Sequence, residues 1–226
     1  MRKLLAIVLC VLCLSPVVRA SEDKYVALTF DDGPSGRFTR RLLEGLEARD
    51  AKATFLLCGY RLEQYGDLAV EMTEAGHELG IHGYSHRDWR TLSRRDLAEE
   101  ISETEKLLPE GVRIRFLRPP GGFVTDGVRQ VAEARNYGIL GWTVDPHDWE
   151  ITDTAAIESR VVERVRDGDI ILLHDMSDSS VDAALAIVDD LTEAGFQFVT
   201  VSELAALRGA KMTPGREYRA FPPEDR

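Results

Sequence analysis

ALTFDDGPSG, residues 27–36, closes an apolar run on two adjacent aspartates and then breaks at Gly33 and Pro34. In a regular strand neighbouring side chains point to opposite faces, so Asp31 and Asp32 would diverge. A Gly-Pro pair directly after them turns the chain, and a bent backbone can aim both carboxylates into one cleft. Taken alone the stretch reads equally well as a turn that happens to use aspartate. Its surroundings decide.

Apolar, β-branched segments recur at residues 25–30, 53–58, 78–81, 112–117, 139–144, 169–173 and 196–201. Between them lie stretches with helical spacing: 38–48, 62–75, a segment capped by Ser93 with Leu97, Ile101, Thr104 and Leu108 inward, 127–137, 154–166 and 180–194. Glycines at 76, 138, 168 and 195 mark helix ends. Alternating strand and helix means parallel strands joined by right-handed crossovers. Seven such repeats can close into a barrel or stay open as a doubly wound sheet. No Gly-rich dinucleotide fingerprint follows the first strand, which favours the barrel.

The chain has 226 residues, 44% hydrophobic and 30% charged, enough for one α/β domain with a sizeable core. Residues 1–20 have a basic start (Arg2, Lys3), a short apolar run and small residues at Val18 and Ala20. That is the pattern of a secretory leader cleaved after Ala20, and it implies export to the periplasm or beyond, without stable membrane insertion afterwards. Two of the three cysteines, Cys10 and Cys13, fall in this leader; Cys58 alone remains, so no internal disulfide can form. Loss of the leader's three basic residues, with no acid among them, takes the formal charge from −11 to −14. Such a surface repels phosphate backbones and argues against nucleic acid as a partner. Residues 21–208 are expected to form the single domain, as a monomer. Residues 213–226, rich in proline and charge, show no core pattern and read as a loose end within a tail from 209.

In a parallel barrel, functional groups gather where strands end. The unusual polar residues fall at those ends: Asp31 and Asp32 after the first strand, His82 and His86 in IHGYSH, Arg118 in FLRPPGG, Asp145, Asp148 and Trp149 in VDPHDW, His174 and Asp175 in LLHD. Each has a bland reading as a turn, core or surface residue, but those readings leave the shared position unexplained. His77 and His147 belong to no such group and are left structural; Cys58 is a small core residue. One aspartate with two histidines makes a three-ligand site with an open coordination position, the pattern of catalytic zinc. On that reading one aspartate holds a cation, and its neighbour stays free as a base.

These motifs, TFDDGP, HGYSH, RPPGG, DPHDW and LLHD in that order, resemble the polysaccharide deacetylases of carbohydrate esterase family four, the NodB-homology domain, across residues 24–205. The resemblance implies a distorted parallel barrel of the (β/α)7 type and metal-dependent removal of N-acetyl groups from a polysaccharide or oligosaccharide such as peptidoglycan or chitin oligomers. It implies Asp31 as general base, Asp32, His82 and His86 as ligands of Zn²⁺ (or Co²⁺ or Ni²⁺), and Arg118 as the residue that orients the base. His174 would be the general acid, with Asp148 as its partner and Asp145 as the rival. The backbone N–H of Gly121 would hold the oxyanion, and Trp149 and Leu172 would wall the acetyl pocket. Two departures stand out: Gly83 where the family usually has Ser or Thr bracing the metal loop, and Gly121 where it commonly has Tyr. Competing readings are hydrolysis of another amide or of an O-acetyl ester, and a non-catalytic glycan-binding member.

Overall fold

The chain is described from a computed structural model covering residues 23–223; the leader expected at residues 1–20 lies outside the described residues. Its central strand is β1 (Lys24–Asp31), where the pleat sorts side chains by period two. Val26, Leu28 and Phe30 pack outward beneath helices, with Phe30 stacked on Phe55 at 5.3 Å, whereas Ala27, Thr29 and Asp31 face the barrel interior. Helix α1 (Arg37–Glu47) leads to β2 (Ala53–Leu57), α2 (Gly59–Glu74) to β3 (Glu78–Ile81), and α3 (Arg94–Glu105) to β4 (Phe116–Leu117). There follow α4 (Asp126–Ala134), β5 (Gly138–Leu140), α5 (Thr154–Val162), β6 (Ile170–His174), α6 (Asp178–Glu193), β7 (Phe196–Phe198), α7 (Val201–Leu207) and β8 (Glu217–Tyr218).

Every strand pairing is parallel, in the order β6-β1-β2-β3-β4-β5-β8, with β7 added to the first residues of β1. The ring closes through two isolated bridges, Val144 to Ile171 and Asp169 to Ala220, where a regular barrel would have a full ladder. This is the distorted (β/α)7-type barrel expected from the sequence. Ser93 does cap α3, its Oγ accepting from the Asp96 N–H at 3.2 Å.

Several boundaries differ from expectation. The apolar stretch 112–117 yields a strand of only two residues, and β5 stops at Leu140 because the backbone leaves the ladder before rejoining β6 at Val144. Residues 199–201 do not extend β7; Val201 begins α7, stabilised by a capping box between Thr200 and Glu203. As far as residue 223, the segment expected to be a loose end is part of the fold. β8 pairs with β5, Tyr218 and Phe221 are buried and stacked at 5.4 Å, and the Phe221 N–H donates to the Gly168 carbonyl at 2.7 Å. Without that segment β5 would expose an unpaired edge and the barrel interior would lose two aromatic rings. No helix among the described residues is long and apolar enough to cross a membrane.

Candidate active site

Sheet register assembles the site. Asp31, the last residue of β1, stands opposite His174, the last residue of β6. Ile81 of β3 pairs with Leu117 of β4, so the residues that follow, His82 and Arg118, emerge side by side on the same rim. Arg118 is fully buried and serves both sides of the site. Its Nη1 donates to Asp31 Oδ1 at 2.6 Å and to Thr29 Oγ1 at 2.9 Å, and its Nη2 donates to the Gly141 carbonyl at 2.9 Å. Its own carbonyl oxygen lies 2.8 Å from His82 Nδ1. A carbonyl can only accept, so Nδ1 carries a proton, and in the neutral imidazole the His82 Nε2 lone pair is left free.

That lone pair faces Asp32. The Asp32 backbone takes a left-handed φ of 70°, which Asp tolerates better than most residues, and this twist breaks the strand alternation and brings its carboxylate beside that of Asp31. Asp32 Oδ1 lies 3.3 Å from His82 Nε2 and 3.0 Å from His86 Nε2. Although buried, this oxygen meets neither nitrogen along a hydrogen-bonding direction and has no other partner. One ligand atom from each of the three residues falls within 4.8 Å of the other two. An orphaned buried oxygen and a free imidazole lone pair converging on one point fit a divalent cation. Burial alone would raise the Asp32 carboxyl pKa, but imidazoles that carry a proton at Nε2 would outweigh it and hold the group well below the usual carboxylate range. Asp32 in turn raises the pKa of the half-exposed His86.

Across the cleft, His174 Nδ1 is 2.8 Å from Asp148 Oδ1, and the His174 backbone N–H donates to Asp148 Oδ2 at 2.8 Å. Burial pushes this imidazole's pKa down, but the Asp148 carboxylate more than compensates, raising it to about 9 and favouring the imidazolium at neutral pH. A cation held at Asp32 would pull that value down again. Asp145, the alternative partner, turns away and accepts from the His147 N–H at 2.8 Å while still lining the cleft. The cleft encloses about 370 Å³. Leu172, Trp149 and Gly121 form its wall together with Trp142, which the motifs did not single out although it follows β5 as the other site residues follow their strands. Trp149 is 62% exposed, a large apolar face left open at the mouth. Gly121 has a φ of 70°, and the Phe123 ring lies within 3.2 Å of where its Cβ would stand, so a larger residue there would be crowded as well as strained.

Thr29 was also missed; only the structure reveals its hydroxyl taking up an Arg118 donor. Asp175, fully buried beneath the aspartate turn, is raised to about 6 by burial in spite of the hydrogen bond from Thr39. It packs so closely on Gly33 that a Cβ there would lie 2.6 Å from its oxygen. His77 is buried away from the site, its Nδ1 accepting from the Ala53 N–H, and burial lowers its pKa to about 4. Among the described residues the trio of Asp32, His82 and His86 is the one group of side chains able to hold a metal.

An open three-ligand trio beside a carboxylate and a carboxylate-bound imidazole, at the strand-end rim of a distorted barrel, has the parts of a metal-dependent hydrolase. A family model for polysaccharide deacetylases matches residues 19–140, and the chain belongs to that family. It is 36% identical over 190 residues to a peptidoglycan-N-acetylglucosamine deacetylase of Bacillus cereus, covering 81% of this chain and 89% of that protein. It is 35% identical over 188 residues to the peptidoglycan-N-acetylmuramic acid deacetylase PdaC of Bacillus subtilis, where 82% of this chain spans 40% of the relative's length. In three dimensions it resembles a family 4 acetyl xylan esterase of Clostridium thermocellum solved with a cobalt ion, with a TM-score of 0.82 at 31% identity over 88% of this chain and all of that one.

Proposed function

We propose that this chain hydrolyses N-acetyl groups on an N-acetylglucosamine-containing glycan, releasing acetate and a free amino sugar, with peptidoglycan as the favoured substrate. The observation that carries this reading is the pairing of Asp31 with His174 across β1 and β6, in one cleft with the Asp32, His82 and His86 trio. A divalent cation held by that trio, zinc in our reading with cobalt or nickel able to take the same ligands, supplies Lewis acidity that acidifies a water molecule and polarises the acetyl carbonyl.

The protein's own groups do the rest. Asp31, fixed by Arg118, accepts the proton of the attacking water as the new C–O bond forms. The backbone N–H of Gly121 donates to the oxyanion that develops on the acetyl carbonyl. As the C–N bond breaks, the departing nitrogen needs a proton, and His174 delivers it from Nε2 while Asp148 holds Nδ1. Leu172 and Trp149 enclose the acetyl methyl and exclude water from it. The leader at residues 1–20 would carry the chain to the periplasm or out of the cell, where an acidic monomer would meet cell-wall glycan.

The test is acetate release from purified chain incubated with N-acetylated peptidoglycan, chitin oligomers and acetylated xylan, with and without a chelator. The expected result is release from an N-acetylated glycan, abolished by the chelator and restored by zinc. Release from acetylated xylan alone would replace the amide reading with an ester one, and release from none would leave a glycan-binding member.

A further inference from the structure

His82 and His86 are joined by the short loop Gly83-Tyr84-Ser85, and the two rings are aimed by different means. The ring of His82 is fixed by the Arg118 carbonyl at 2.8 Å. Among the described residues no hydrogen bond holds Nδ1 of His86, whose side chain is 41% exposed, so its backbone has to aim it. That backbone is demanding, with a left-handed φ of 56° at His86 and 87° at Gly83. Gly83 offers no side chain to brace the loop, and a Cβ added on its left-handed backbone would stand 3.1 Å from the Trp89 ring and 3.3 Å from Glu100 Oε2.

The brace comes instead from α3. Glu100 sits on the inward stripe of that helix with Leu97, Ile101 and Thr104 and is itself buried. Its Oε2 accepts from the Tyr84 N–H at 2.9 Å and the Ser85 N–H at 2.8 Å, and its Oε1 accepts from the Ser85 hydroxyl at 2.5 Å. Two backbone donors converging on one oxygen require a pure acceptor held at a set reach. We propose that Glu100 is a positioning residue for the metal site: it locks the loop so that His86 Nε2 faces Asp32 Oδ1, and so sets the affinity for the cation. This rests on the metal reading of the site but not on any particular substrate.

Zinc affinity of the purified chain, measured by competition with a chromophoric chelator, tests it without reference to activity. Glu100→Gln keeps the reach: its amide oxygen can take both backbone N–H groups while its NH₂ donates to the Ser85 hydroxyl. It is expected to bind zinc within about threefold of wild type, and Glu100→Asp, which keeps the charge but loses the reach, about 10–100-fold more weakly. Leu97→Ala, a buried change on the same helix, is expected to lower the Tm and leave zinc affinity unchanged. Wild-type affinity in Glu100→Asp, or an equal loss in Leu97→Ala, overturns the inference. Should Glu100→Asp not fold, Ser85→Ala decides: affinity a few fold weaker supports the role and unchanged affinity overturns it. A wild-type chain that binds no zinc overturns the metal reading and this inference with it.

Discussion

Two neighbouring carboxylates acquire different surroundings through one backbone torsion. Asp31 ends β1 with its side chain inward on Arg118, and the left-handed turn at Asp32 swings the second carboxylate toward the two imidazoles. Asp31→Asn and His174→Ala are each expected to lower acetate release by about 10²–10⁴ while leaving zinc affinity nearly intact, measured as kcat beside metal titration. His174 also carries a pH signature. Its pKa is raised in the folded chain to about 9 from an ordinary value of 6.5, so the pairing with Asp148 stabilises fully below pH 6.5 and the contribution fades as pH rises through about 9. Asp148→Asn should flatten the fall in Tm across that window and move the alkaline limb of kcat to lower pH. The sequence left Asp145 and Asp148 as rivals because both lie in one short turn. Only the fold reveals that Asp145 caps that turn while Asp148 reaches His174.

Elements were legible in proportion to how strongly they repeat a pattern. β1, β2, β3 and β6 are short apolar runs bounded by turn residues, and the six longest helices carry apolar stripes, with side-chain N-caps on α3, α4, α5 and α6. The failures have local causes. β4 keeps two residues of a six-residue apolar stretch, and α7 hid behind β-branched Val199 and Val201 although Thr200 and Glu203 spell a capping box. The site was legible because its residues follow strand ends. Glu100 was not, since a lone acid on a helix stripe gives no hint of which loop it will meet. Thr200→Ala is expected to cost about 1 kcal/mol of stability, seen as a lower urea midpoint at unchanged slope.

At the scale of the molecule, closure depends on a segment whose sequence is polar and proline-rich. Tyr218 and Phe221 pack into the interior cluster with Ala27, Phe116 and Ile170, and Phe221 meets Gly168 just before β6. β6 carries His174, so the tail supports the strand that presents the proposed acid. Phe221→Ala is expected to cost about 3 kcal/mol and to lower the Tm without altering KM for a glycan. The whole barrel serves to bring one aspartate, two histidines and an adjacent carboxylate held by Arg118 to a single rim. Zinc stoichiometry of wild type, Asp32→Ala, His82→Ala and Asp31→Asn measures that most directly. The predicted result is one ion per chain in wild type and Asp31→Asn and none in the other two at micromolar zinc; binding that survives in Asp32→Ala but is lost in Asp31→Asn would contradict it.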